Sequence, residues 1–287
     1  MTFPMPRQTL DQALTLTPGD GPDRTADLTA DFSNAPLAWP ADKGAPFGGL
    51  MAALAVRAMR EGLDIQPPLM TLTVQYLAAA RFAPVTFSPT LERGGRSVAY
   101  ASVRAGQPGR PALTALGTFG TLGHGPEIRP LTPSPTPFED LDPTPVDPQL
   151  APWFTRYIEH RFDGGAKIGG GSPLSDPTLR LWMRTIDHRP LDELSLCFLL
   201  DGIFPSYMTV LPAPPVPSAS VDLRYDLIEP VTPDTSPEGW AIFQFRTRDV
   251  SGGWALDDGM AFAPDGRPLA LARQRRKLFG PRRPAEA

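Results

Sequence analysis

The sequence predicts an α+β fold built twice over, and three observations carry that prediction. The first is a proline-rich stretch, PEIRPLTPSPTPFEDLDPTPVDPQLAP from Pro126 to Pro152, which parts the 287 residues into similar halves. Proline fixes φ and favours extended chain, so the stretch reads as a semi-rigid connector. At about 3.1 Å per residue it can cross a whole domain. The second is self-similarity. GRPALTALGTFG begins at Gly109 and GRPLALARQRRKLFG at Gly266, 157 residues later. TLTVQYL begins at Thr71 and SVDLRYDL at Ser220, 149 residues later, with Leu72, Val74 and Tyr76 matching Val221, Leu223 and Tyr225. Two matches at nearly one offset are the mark of a duplicated domain. The third is that each half reads as one helix followed by strands. A largely apolar helix ahead of an antiparallel meander implies a sheet wrapped around that helix. The expected division is an N-terminal domain over 1–124, a connector over 125–152 and a C-terminal domain over 153–287.

Each element has its own signal. FGGLMAALAVRAMREG starts a helix at Gly48-Gly49, is rich in the best helix formers, and ends near Gly62. Alternating or β-rich runs follow at 69–78, 84–92, 96–105 and 111–121. Arg93-Gly94-Gly95 and Pro108-Gly109 supply turns between them. In the second half the helix is expected from Asp192 to Phe204. Strands are expected at 219–228, 240–248, 254–263 and 268–279.

Composition narrows the function classes. Hydrophobic residues make up 41%, enough for a sizeable core, and the formal charge of −4 argues against a nucleic-acid partner. One cysteine permits no internal disulfide and fits a reducing cytoplasm. The start, MTFPMPRQTLDQAL, has no charged opening followed by an apolar stretch, so no signal peptide is expected. No apolar run approaches the roughly 20 residues that span a bilayer. Edge strands of two fused domains could pair between chains, so a homo-oligomer is an open expectation.

One stretch poses a chemical question. LSLCFLLDGIFPS, Leu194 to Ser206, is among the most apolar in the chain, and Asp201 is its only charge. On a helix Cys197, Phe198 and Phe204 share its face. A carboxylate there is costly to bury unless it is hydrogen-bonded or used. From spacing alone two readings stand level: a helix-end carboxylate in a local hydrogen-bond network, with Gly202 and Pro205 breaking the helix, or a functional group.

In these features the sequence resembles the double-hotdog acyl-CoA thioesterases, the TesB-like group. The first half carries the Phe47-Gly48-Gly49 helix start, the strand LTVQYL and GGRSVAYASV (Gly94 to Val103). The second carries LWMRTID (Leu181 to Asp187), LLDGIFPS (Leu199 to Ser206) and ASVDLRYDL (Ala219 to Leu227). The resemblance spans nearly the whole chain apart from the connector, and the order and spacing of the motifs carry it. It implies a double hotdog of two antiparallel sheets, each wrapped around a central helix. It also implies a cytoplasmic hydrolase of lipid metabolism that acts on an acyl-CoA partner, without metal or cofactor and with neither nucleic acid nor membrane.

The resemblance also implies a site. In the family an Asp works with a Thr or Ser and a Gln to hold a water. Carried over, Asp201 matches the Asp, Ser220 stands where Thr is usual, and Gln274 in LALARQRRKL is the Gln. Water held there would attack the thioester carbonyl directly, with Asp201 as base and a backbone N–H near the helix polarising the carbonyl oxygen. Ser keeps the hydroxyl of Thr but loses the methyl that restricts its rotamer. Ser220 also alternates with Asp222 and Arg224, which fits a plain polar strand position equally well. Between Gly48 and Arg60 the first helix has no acid, so one active centre per chain is expected. The rival from another class is a non-catalytic acyl-CoA-binding protein of the same fold.

Other signals are read more plainly. No histidine among His124, His160 and His188 lies five residues after an Asp, so the dehydratase pattern of other hotdog enzymes is missing. No G-x-S-x-G occurs, and one Cys with scattered His argues against zinc. Cys197 among Leu196, Phe198 and Leu199 reads as core. Gly48-Gly49 reads as close helix–sheet packing ahead of phosphate binding. FDGGAKIGGGSP (Phe162 to Pro173) reads as a flexible hairpin, and PAPPVP (Pro212 to Pro217) as a loop. Arg273, Arg275, Arg276 and Lys277 form a basic cluster, read as a solvated strand edge or as partners for the phosphates of coenzyme A.

Overall fold

The computed structural model describes residues 7–126, 128, 137, 140–143, 150–163, 168, 176–211 and 216–280. Most of the connector, of Phe162–Pro173 and of Pro212–Pro217 lies outside the described residues. In chain order the elements are α1 (Leu10–Ala13), β1 (Thr17–Pro18), β2 (Arg24–Asp27), α2 (Gly48–Leu63), β3 (Leu69–Tyr76), β4 (Pro84–Gly94), β5 (Val98–Gln107) and β6 (Arg110–Gly120). The second half adds β7 (Ile158–Phe162), β8 (Thr178–Thr185), α3 (Glu193–Leu199), β9 (Ser218–Leu227), β10 (Ala241–Ser251), β11 (Trp254–Phe262) and β12 (Pro268–Leu278).

The expected two sheets are one. The twelve strands among the described residues form a single sheet in the order β1-β2-β4-β5-β6-β3-β9-β12-β11-β10-β8-β7. The reason is an edge. Each half alone would leave one side of β3 or of β9 unpaired, and unpaired backbone seeks a partner. Here β3 and β9 satisfy each other, antiparallel, from Thr71↔Asp226 to Gln75↔Asp222. Val74 faces Leu223 in that register, and these are equivalent residues of the repeat. A pseudo-twofold axis therefore passes between them, and strand order on either side is mirrored.

Nor does each helix sit alone in its own sheet. Residues of α2 and α3 share one core with strands of both halves, including Leu54, Met59, Phe198, Phe243 and Tyr225. Ten of the sixteen residues of α2 are buried, which its Ala-rich sequence allows by keeping the helix thin. It stops where Asp64 takes a left-handed conformation at φ 52°. The close approach expected at Gly48-Gly49 is to the sheet at Gly48, where a Cβ would lie 3.3 Å from the Tyr76 hydroxyl of β3, and to the other helix at Gly49, where it would lie 2.7 Å from the Phe198 carbonyl oxygen.

Three further expectations change. The second helix is shorter than Asp192–Phe204: Asp192 caps it by accepting from the N–H groups of Leu194 and Ser195, and Leu199 ends it. The Gly202 N–H turns back onto the Leu199 carbonyl at 2.8 Å, and Pro205 cannot continue the helix. Asp201 thus sits in the turn after α3, and Phe204 is not its helical neighbour. The basic cluster lies on β12, near the middle of the sheet and not at an edge. Strands β2, β7 and β8, ahead of the helices, add to the expected ones; β2 and β7 are short, whereas β8 alternates Leu179, Leu181 and Met183 with Arg180 and Arg184. Among the described residues no helix is long and apolar enough to cross a membrane.

Candidate functional site

The site forms where the turn after α3 meets the start of α2 and the strands β9 and β12. Helix α2 opens with Phe47 at its cap, no capping side chain and no acid in the first turn. Its first N–H groups therefore need an acceptor from elsewhere. Asp201, from the other half of the chain, supplies it by accepting from the Gly49 N–H. Gly48 gives the carboxylate room: a Cβ there would stand 2.8 Å from Asp201 Oδ2. The Tyr76 hydroxyl donates to the Gly48 carbonyl at 2.9 Å and secures the same turn.

Gln274 reaches Asp201 from β12. Its Nε2 donates to Asp201 Oδ1 at 2.7 Å and to Ser220 Oγ at 2.6 Å. The three residues singled out in the sequence therefore meet. Gln274 and Asp201 are both buried, at 5% and 7% exposure, which an unpaired amide and carboxylate would not tolerate. Ser220 reaches this face through a bulge. Arg275 pairs with Asp222 but Arg276 pairs with Ser220, so Val221 is an extra residue on β9. One extra residue turns every side chain beyond it to the opposite face. Ser220 thus shares the inner face of Leu223 and Tyr225, and its alternation with Asp222 and Arg224 is broken.

Two participants were missed. Arg276 lies two residues beyond Gln274 on the same strand face. Its guanidinium sits 3.6 Å from Asp201 Oδ1, donates to the Gln274 carbonyl oxygen, and approaches Ser220 Oγ at 3.4 Å. Its Nε donates to Asp257 Oδ2 at 3.1 Å, and Asp257 accepts from Thr247 Oγ1 at 2.6 Å. The buried series Ala270, Ala272, Gln274 was the signal for Arg276, because period two places it with them. Other members of the basic cluster do different work: Arg273 pairs with Asp258, and Lys277 lies over the Trp254 ring.

Burial pushes the Asp201 carboxyl above its usual range, and the charge of Arg276, the Gln274 amide and the Gly49 N–H hold that rise back. A carboxylate made more basic this way, beside a hydroxyl whose hydrogen is not consumed by its two donors, is suited to taking a proton from a bound water. The backbone N–H expected to polarise a carbonyl is not identified: Gly49 is spent on Asp201, and Gly202 on Leu199. Burial also pushes the Cys197 thiol well up, in keeping with its core position.

Comparisons with known proteins bear on the family and the fold. The profile of an acyl-CoA thioesterase N-terminal domain matches residues 35–120, and that of an acyl-CoA thioesterase C-terminal domain matches residues 137–275. A search of curated proteins finds no match. Among solved structures, a conserved protein with a hot dog fold from Alicyclobacillus acidocaldarius superposes with a TM-score of 0.81 at 24% identity, over 95% of this chain and 98% of its own. Acyl-CoA thioesterase II TesB2 from Mycobacterium marinum gives 0.73 at 17%, over 96% and 99%. The tesB protein of Mycobacterium avium subs paratuberculosis gives 0.72 at 17%, over 94% and 98%. At such identities the structural likeness speaks for the fold, and the profile matches speak for the family.

Proposed function

Because this chain belongs to the double-hotdog, TesB-like acyl-CoA thioesterase family, we propose that it hydrolyses an acyl-CoA thioester by direct attack of water at the Asp201 centre. Asp201 takes a proton from the water as the water oxygen bonds to the carbonyl carbon. The carbon–sulfur bond then breaks, and the proton passes to the departing thiolate, leaving a carboxylic acid and free coenzyme A. Gln274 and Ser220 hold the water and the carboxylate in line. One observation supports this above the rest: a single amide nitrogen donates to both Asp201 and Ser220. That fixes a base and a hydroxyl at hydrogen-bond distance from one point.

The test is release of free thiol from short, medium, long and aromatic acyl-CoAs, with a no-substrate blank. Wild type is expected to turn over at least one class. Asp201→Asn, folded by circular dichroism, is expected to lose about 100-fold or more in kcat. Acyl-CoA binding without turnover on any substrate would replace this reading with that of a binding protein.

A further inference from the structure

A glutamine amide presents an acceptor on one side and donors on the other, and its neighbours decide which way round it sits. Beside Gln274 stands Arg276, which has donors only. Its guanidinium therefore takes the amide oxygen, and the amide nitrogen is left to face Asp201 and Ser220. We propose that Arg276 is a positioning residue of this centre: it sets the orientation of Gln274, and its guanidinium, 3.6 Å from Oδ1, favours the charged form of Asp201. The proposal rests on the hydrolytic reading of the site and deepens it.

Arg276 is itself held from behind. Asp257 on β11 takes its Nε, Thr247 on β10 donates to Asp257, and the Thr247 N–H donates to Ser206 Oγ at 2.7 Å. Since the Thr247 hydroxyl spends its hydrogen on Asp257, the Ser206 hydroxyl donates to Thr247 Oγ1 at 2.9 Å. Ser206 opens the short helical turn Ser206–Thr209, five residues past Asp201. The chain of bonds thus starts at Asp201 and returns to the segment that carries it. The planar fork of an arginine can serve Asp257, Gln274 and Asp201 at once, and a lysine cannot.

The other titratable groups around Asp201 do not duplicate this charge. Tyr76 on β3, Tyr225 on β9 and Cys197 on α3 are all pushed well up, by burial first, and stay neutral. Tyr207 is raised as well, and Asp222 on β9 adds only negative charge near Tyr76. His160 on β7, which reaches the Gly202 backbone, is pushed down to about 4 by burial and is neutral at pH 7. A contact with coenzyme A phosphates fits Arg276 poorly, because its side chain is only 12% exposed and its nitrogens are engaged.

The experiment compares full-length wild type, Arg276→Gln and Arg276→Lys in two readouts. The first needs no activity: the Asp201 carboxyl is titrated by infrared difference spectroscopy, assigned by its loss in Asp201→Asn. In folded Arg276→Gln the midpoint is expected about one pH unit or more higher, since an opposite charge within this distance has been removed. Arg276→Lys is expected to restore the midpoint. The second readout is the pH profile of hydrolysis. The acid limb of Arg276→Gln is expected to move up with the carboxyl, so that kcat below the limb falls about tenfold while KM is unchanged. Arg276→Lys is expected to recover the limb but not the full kcat, because the amide of Gln274 is no longer steered.

An unmoved Asp201 midpoint in folded Arg276→Gln overturns the proposal, and so does a raised KM with unchanged kcat. If Arg276→Gln does not fold, Arg276→Lys decides, and a kcat equal to wild type overturns it. If the midpoint moves as expected while wild type releases no thiol from any acyl-CoA, the placement of Arg276 stands and the hydrolytic reading falls.

Discussion

Gly48 leaves room for one oxygen. A methyl group there would press on Asp201 Oδ2, in a carboxylate already held by Gln274 at Oδ1 and by the Gly49 N–H. Gly48→Ala is therefore expected to shift the carboxylate and lower kcat by about tenfold or more, although alanine is the better helix former. Turnover beside a urea denaturation curve checks it: activity should fall while stability holds or rises slightly. Legibility at this scale was uneven. Asp201 stood out because a lone charge in an apolar run needs a partner, and Gln274 followed from the resemblance. The Gly49 partner of Asp201 was not legible, since a backbone N–H has no letter in the sequence. Ser220 was obscured by the bulge at Val221, which no local composition announces. Arg276 was hidden among neighbouring cations that point the other way.

At the scale of elements, the turn after α3 is tied down by β7. His160 is buried, hydrogen-bonds the Gly202 backbone beside Asp201, and is held neutral by burial, down to about 4. In the unfolded chain the same imidazole titrates near 6.5. Between these values the unfolded state binds the extra proton, so stability falls as pH drops from about 6.5 towards 4 and is full above that window. The loss across the window is of the order of a few kcal/mol. His160→Gln is expected to flatten this slope. Urea midpoints at pH 7, 6 and 5 would show it, and a variant with the wild-type slope would remove His160 from the account. The long strands and α2 were legible because their apolar residues keep a steady period. The strands β2 and β7 are too short for a period to register; β8 does alternate, Leu179, Leu181 and Met183 buried against half-buried Arg180 and Arg184, with Trp182 the one buried residue on its other face. The length of α3 was overread because apolar residues continue past Leu199, while the geometry of Gly202 and Pro205 ends the helix.

Across the whole molecule, the duplication was legible in its repeats but the joining of the sheets was not. Pairing of β3 with β9 depends on two strands about 150 residues apart finding each other, and both simply read as strands. The pseudo-twofold axis between Val74 and Leu223 carries the Asp201 centre onto the other end of the helix pair. There, where α2 ends and α3 begins, lies a different arrangement. The Arg60 guanidinium donates to both Glu193 oxygens, one at 2.7 Å, and to the carbonyls of Ile65 and Pro67. Glu193 also accepts from the Leu69 N–H. A cleft of about 300 Å³ opens beside them, lined also by Leu227 and Val231. This end bonds the halves together, so Glu193→Gln is expected to cost about 2 kcal/mol of stability, read from chemical denaturation, with kcat unchanged.

The Gly49–Asp201 contact has a consequence for how such a protein can change. In a pair of identical subunits every substitution is made twice, and a residue that serves one centre must be tolerated at the other. Here the half that supplies Gly48 and Gly49 is not the half that supplies Asp201, Ser220 and Gln274. The chain is in effect two different partners under one reading frame. Each is free to do without what the other provides, as the first half does without an acid between Gly48 and Arg60, and neither can be inherited without its complement.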